Sequence, residues 1–134
     1  AIAERRGRPR RAHVAGAPPE RAAELIERVA LPAFAEIAEE LRRTGRQALV
    51  DRGPVHAALT VLRDGREEFY YAVRLRAFQR MAFAFPEVAR RPSAPMYRAE
   101  VVLRSGPRAE LDAARLTREA LIRDFLDEYA SWIG

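Results

Sequence analysis

VHAALTVLRDGREEFYYAVRL, residues 55–75, decides the fold. Val55, Ala57, Leu59 and Val61 alternate along its first half. In the second half Phe69, Tyr71, Val73 and Leu75 alternate against Tyr70, Ala72, Arg74 and Arg76. A period of two is that of a strand with one buried face. Between the halves stands Asp64-Gly65, a pair that accepts the positive φ angles of a type I′ turn. The stretch therefore predicts a β-hairpin with one apolar face.

Downstream, Tyr97, Ala99, Val101 and Leu103 repeat the alternation against Arg98, Glu100, Val102 and Arg104, and Ser105-Gly106-Pro107 is expected to end that strand. Residues 77–96 carry a short apolar run, 82–85, broken up by Pro86, Pro92 and Pro95. They read as a long connection with at most one short strand. Upstream, residues 47–51 read as an edge strand. Before them Ile26, Ala30, Ala33, Ile37 and Leu41 recur at helical spacing, widened by Val29, Phe34 and Ala38. That helix is expected to start near Pro19, to kink or restart at Pro32, and to stop at Gly45 behind Arg42 and Arg43. A last helix follows Thr117 as N-cap and Glu119 in the first turn, with Ile122, Phe125, Leu126, Tyr129 and Ile133 as its stripe. The fold class is α+β: a small antiparallel sheet of three to five strands, with an N-terminal and a C-terminal helix packed on one face.

A chain of 134 residues is one domain by size, and it contains no cysteine, so no disulfide, thiolate metal site or Cys nucleophile enters. All 24 basic residues are Arg; Lys and Asn are absent, a bias that reads first as base composition of the coding sequence. Charge is uneven. Residues 1–13 hold Arg5, Arg6, Arg8, Arg10 and Arg11 against Glu4, a net +4, whereas residues 14–134 hold 19 Arg against 18 acids. Residues 1–18 lack hydrophobic period and are read as a basic, flexible tail, with residues 19–134 as the single domain. No run of 18 apolar residues exists, so no stretch is expected to cross a bilayer, and no signal-peptide pattern is visible.

Residues suited to catalysis are sparse. His13 lies in the tail and His56 on a strand, with no second ligand near either in sequence. The serines, Ser93, Ser105 and Ser131, stand in no nucleophile-elbow pattern, and the seven glycines form no phosphate loop. The acid pairs Glu39-Glu40, Glu67-Glu68 and Asp127-Glu128 read as solvated faces. Tyr70, sharing the wet face with Arg74 and Arg76, is the one aromatic worth keeping as a stacking candidate. No enzyme activity, metal or cofactor is expected. In the tail, Arg6-Gly7-Arg8-Pro9 matches the core of an AT-hook, a segment that lies extended in the narrow minor groove of A·T-rich DNA.

Four blocks also resemble a known family. Pro32-Ala33-Phe34, Glu39, Glu40, Leu41 and Gly45 are similar to the opening helix of the C-terminal domain in high-affinity choline transporters of the betaine/choline/carnitine transporter family. Phe69-Tyr70-Tyr71-Ala72-Val73 resembles its F-x-Y-x-V strand. Tyr97-Arg98-Ala99-Glu100-Val101-Val102-Leu103 resembles Y-x-R-A-E-V-x-L, one residue shorter after the Tyr. Thr117-Arg118-Glu119, Ile122, Asp124, Leu126-Asp127 and Tyr129 resemble the closing helix T-x-E-x-V-I-x-D-x-L-D-x-Y. The blocks stand in the family's order over residues 24–130. Two stretches depart: Leu111-Asp112-Ala113-Ala114 replaces a Tyr-Asp-Val-Met-like run, and Tyr129-Ala130-Ser131-Trp132 replaces Tyr-Glu-Arg-His.

The resemblance implies a cytoplasmic regulatory domain that adjusts uptake of choline or betaine to osmotic stress, located at the inner face of the plasma membrane. Its implied partner is the transmembrane portion of the same transporter, and this chain alone would carry no transport. The tail adds an expectation of its own. A juxtamembrane Arg cluster fits the positive-inside bias and is drawn to anionic lipid head groups. Arg5, Arg6, Arg8, Arg10 and Arg11 are thus expected to contact anionic lipid in a salt-sensitive way. The competing reading is a small DNA-binding protein that uses the tail, with the body as a dimerisation unit. A small-molecule sensor with a pocket bordered by 77–96 is a third, and a homo-oligomer stays open.

Overall fold

The computed structural model describes residues 16–78 and 95–134. A helical rod opens it: α1 (Pro19–Glu24), a wider π-helical turn (Leu25–Ala30) and α2 (Leu31–Arg43) follow one another without a break in helical backbone. Five strands follow, β1 (Gln47–Gly53), β2 (His56–Arg63), β3 (Arg66–Phe78), β4 (Met96–Leu103) and β5 (Gly106–Leu111), and α3 (Arg118–Ile133) closes the chain. The strands form one antiparallel meander in the order β1-β2-β3-β4-β5.

Pro32 shapes the rod. A proline inside a helix lacks the N–H for its own turn, and its ring crowds the carbonyl four residues back. The π-turn directly before it relieves that crowding, with Leu31 N–H reaching back five residues to the Ile26 carbonyl. The expected restart at Pro32 is therefore a wide turn, after which α2 begins with Pro32 in its first turn. Every residue of the expected stripe, from Ile26 to Leu41, is buried. The rod stops as a Schellman motif. Gly45, at φ 93°, donates to the Arg42 carbonyl at 3.1 Å, and Arg46 N–H donates to the Leu41 carbonyl at 3.1 Å.

The Asp64-Gly65 turn has positive φ at both residues, 54° and 79°, as type I′ requires. Ala57, Leu59 and Val61 of β2 and Phe69, Tyr71, Val73 and Leu75 of β3 form the buried face. Val55 does not belong to it: it sits in the β1–β2 turn and is 41 % exposed. The strand before Ser105-Gly106-Pro107 ends at Leu103, as expected, but the sheet goes on. Arg104 and Ser105 make a two-residue turn, and β5 returns from Gly106 along β4 as an edge strand, where Pro107 is tolerated. The connection expected over 77–96 is shorter, since β3 runs to Phe78 and β4 begins at Met96, paired to each other; residues 79–94 lie outside the described part.

Both helical layers lie on one face of the sheet. Tyr71, at the centre of β3, meets Phe34 of α2 edge-on at 5.9 Å and Phe125 of α3 at 5.2 Å. Phe125 also meets Phe69 at 5.5 Å and stacks on Tyr129 at 5.6 Å. Such aromatic pairs add about 0.5–1.5 kcal/mol each beyond the area they bury. The expected stripe of α3 is rotated, however. Leu121, Phe125 and Glu128 face inward, Ile122 and Tyr129 are half-buried, and Leu126 and Ile133 are 52 % and 47 % exposed.

The tail boundary also moves. Ala17 is fully buried and pairs with Tyr97, each donating to the other's carbonyl at 2.8 Å. It fills the edge of β4 beyond the last β5 pair, Ala99 with Leu111. Residues 16–18 thus belong to the domain, and a Cβ at Gly16 would stand 2.9 Å from the Phe78 ring, which would have to shift.

Candidate functional site

Two β-bulges set the polar frame of the helical face. In β3, Glu67 opposes Leu62 and Phe69 opposes Val61, so Glu68 is an extra residue. In β5, Ala109 opposes Val101 and Pro107 opposes Val102, which makes Arg108 extra. An extra residue escapes the strict alternation of a strand, and its side chain is re-aimed. Both side chains turn to α3. Glu68 accepts from the Tyr129 hydroxyl at 2.7 Å and from Arg46 at 2.9 Å, and the Arg108 guanidinium donates to Glu128 at 3.2 Å. Tyr71 adds a third tie, its hydroxyl donating to Asp124 at 2.6 Å.

The electrostatics follow from these partners. The Arg46 hydrogen bond holds the Glu68 carboxyl below the usual carboxylate range, against the opposing effect of burial. Burial, and then the Glu68 carboxylate, push the Tyr129 phenol up to about 12. Arg104 holds Glu67 down in the same way, through two hydrogen bonds of 2.8 Å. Of the acid pairs read as solvated, only Glu39-Glu40 fits; Glu68 and Glu128, with side chains 14 % and 7 % exposed, are ties inside the domain.

The rotated phase of α3 leaves an apolar furrow beside α2. Its walls are Ile37, Leu41, Ile122, Phe125, Leu126 and Tyr129, and it holds about 290 Å³. Glu36, Glu40 and Thr44 are its polar lining. Glu36 stands 3.7 Å from Arg118, and Glu40 stands 3.3 Å from Arg43. Trp132, one turn beyond Tyr129, is 48 % exposed.

A second concavity, on the opposite face, is bordered by Arg76, Phe78, Arg98, Glu100 and Glu110. Its charges are engaged. Arg74 donates to Glu100 at 2.8 Å, Arg76 stands 3.8 Å from the same carboxylate, and the Arg98 guanidinium lies over the Phe78 ring at 4.3 Å. Tyr70, kept as a stacking candidate, is covered by the Arg104 guanidinium at 4.0 Å. His56 begins β2, with its ring 3.6 Å from Asp51 and packed against Gly53. No group of three or more metal-ligating side chains occurs among the described residues. Arg5, Arg6, Arg8, Arg10, Arg11, His13 and Ser93 lie outside the described part; Ser105 is in the β4–β5 turn and Ser131 on α3.

The furrow is not legible in the sequence, because Leu126 falls on the apolar stripe expected to be buried. The signal that bears on it is Glu128: an acid four residues from Asp124 inside an apolar repeat marks a competing phase. Among the described residues no helix is long and apolar enough to cross a membrane. No protein-family model matches the chain, and no curated protein matches it.

Proposed function

We propose that this chain is a regulatory docking domain of a choline- or betaine-type transporter, adjusting solute uptake to osmotic stress through contacts at the cytoplasmic face of the plasma membrane. The observation that carries this reading is the furrow. The four blocks of the resemblance fall on α2 with its cap, β3, β4 and α3. Of their aromatic members, Phe69, Tyr71 and Tyr129 meet Phe125, and Phe34 meets Tyr71. Among the block residues that line the furrow are Glu40, Leu41, Ile122, Leu126 and Tyr129. An apolar furrow held on two helices, with Leu126 exposed and Ile122 and Tyr129 half-buried in its walls, suits contact with another polypeptide better than turnover of a substrate. The transmembrane portion of the same transporter is the partner on this reading. The Arg tail supplies a salt-sensitive contact with anionic lipid, leaving the domain from the anchored Ala17.

The test is solute uptake by the transporter with and without this domain across an osmolarity series. Loss of the osmotic response with basal transport retained is the expected result; an unchanged response rejects the reading. Titration with A·T-rich duplex at near-physiological salt tests the DNA-binding alternative, which saturable binding there would favour. Vesicle co-sedimentation indifferent to both anionic lipid and salt would discard the lipid contact.

A further inference from the structure

We infer that the α2–α3 furrow receives a cationic amphipathic helix of about two turns, supplied by a cytoplasmic segment of the partner; this rests on the docking reading above. The dimensions fix the length. Along α2 the lining runs from Glu36 to Thr44, about 12 Å at 1.5 Å per residue, and along α3 from Ile122 to Tyr129, about 10 Å. Two turns of an incoming helix span that distance and present three anchors at i, i+3 or i+4, and i+7. The volume of about 290 Å³ sits at the small end for a ligand pocket, and Leu126 lies open at its mouth.

Charge selects the occupant. Both charged residues of the lining are carboxylates, Glu36 and Glu40, with side chains 59 % and 70 % exposed. Their present partners, Arg118 and Arg43, are 48 % and 66 % exposed. Exposed pairs of this kind contribute little, so an incoming guanidinium or ammonium displaces them at little cost. Anionic head groups are repelled by the same carboxylates. A second copy docked by two-fold symmetry would bring Glu36 and Glu40 toward their own counterparts. Cytoplasmic loops of membrane proteins carry an excess of Lys and Arg, which makes a basic amphipathic segment the chemistry at hand on that side.

The experiment uses the full chain and two synthetic peptides of about eighteen residues, long enough to hold a helix. Both carry the same leucine stripe, one with Arg and the other with Glu on its flanks. Trp132, the only tryptophan, reports binding from the end of α3. The cationic peptide is expected to bind saturably and about tenfold more tightly than the anionic one. Leu126→Glu removes that binding, and the double variant Glu36→Arg/Glu40→Arg reverses the preference; all three positions are exposed, and circular dichroism checks that the fold is kept. Failure of both peptides, equal affinity for them, or indifference to Leu126→Glu overturns the inference. So does a concentration-dependent dimer that Leu126→Glu dissolves, because the occupant is then a second copy. An osmotic response lost on domain deletion but intact in Leu126→Glu leaves the docking reading standing and rejects this furrow. Charge-selective peptide binding beside an unchanged deletion mutant does the reverse.

Discussion

Glu68 accepts a 2.7 Å hydrogen bond from the Tyr129 hydroxyl, and it does so from the extra position of a bulge in β3. The bulge and the last helix are thereby one structural unit. Arg46, the last residue of the Schellman motif, completes the unit by donating to the same carboxylate, so the end of α2, the β2–β3 hairpin and α3 meet at one acid.

The Arg46 hydrogen bond to Glu68 and the burial of Tyr129 make stability depend on pH at both ends of the scale. Glu68 titrates below its ordinary range in the fold, so its contribution is present above the unfolded carboxylate value and is lost as pH falls through the folded one. Tyr129 titrates near 12 in the fold, so between about 10 and 12 the unfolded chain gives up its proton first. The folded state then binds more protons, and stability falls as pH rises through that window. Urea midpoints measured across pH are expected to show a smaller alkaline loss in Tyr129→Phe than in the native chain. An identical alkaline slope in that variant would count against the assignment.

The phase of α3 is open to a pair of truncations. Phe125 is fully buried among Phe69, Tyr71 and Tyr129, and Phe125→Ala is expected to cost about 3–5 kcal/mol. Leu126→Ala, at a side chain 52 % exposed, is expected to stay within about 1 kcal/mol. Denaturant unfolding of both variants decides it, and comparable losses would mean that the helix is rolled the other way.

Gly45 isolates a backbone effect. A Cβ placed there meets nothing within 4 Å, yet φ is 93°. Gly45→Ala is therefore expected to cost about 1–2 kcal/mol through strain alone, and Gly45→Asn less. Thermal unfolding ranks the three chains, and an alanine variant as stable as the native chain contradicts the Schellman geometry.

The anchored strand at Ala17 predicts a step between two truncations. A chain starting at Gly16 keeps both backbone hydrogen bonds to Tyr97, and one starting at Pro19 lacks them. At about 1 kcal/mol per hydrogen bond, and with buried Ala17 also removed, the shorter chain is expected to lose about 2–3 kcal/mol. Hydrogen exchange at Tyr97 should speed up in the same comparison, and equal protection in the two chains argues against the pairing.

Which features were legible follows from the reach of the interactions that make them. The hairpin was readable because Asp64-Gly65 and the flanking period of two are local, and the first helix because its stripe runs unbroken from Ile26 to Leu41. The Thr117 cap was readable for the same reason: its side chain accepts from Ala120 N–H three residues on. The strand β5 was missed because its local signals, Gly106, Pro107 and Arg108, are those of a turn. Only pairing with β4 makes it a strand.

By itself the amino-acid sequence determined the α+β class, the strands of the central hairpin, the rod with its stop, and the N-cap of the last helix. All of these rest on hydrogen bonds and side-chain periods that close within a few residues. Tertiary structure alone decided that Glu68 and Arg108 point to the helical face, that α3 turns Glu128 inward and Leu126 outward, and that a furrow opens beside α2. A bulge is counted against the neighbouring strand, and the phase of a helix is set by whatever partners its inward acids find. Neither is written in any one segment.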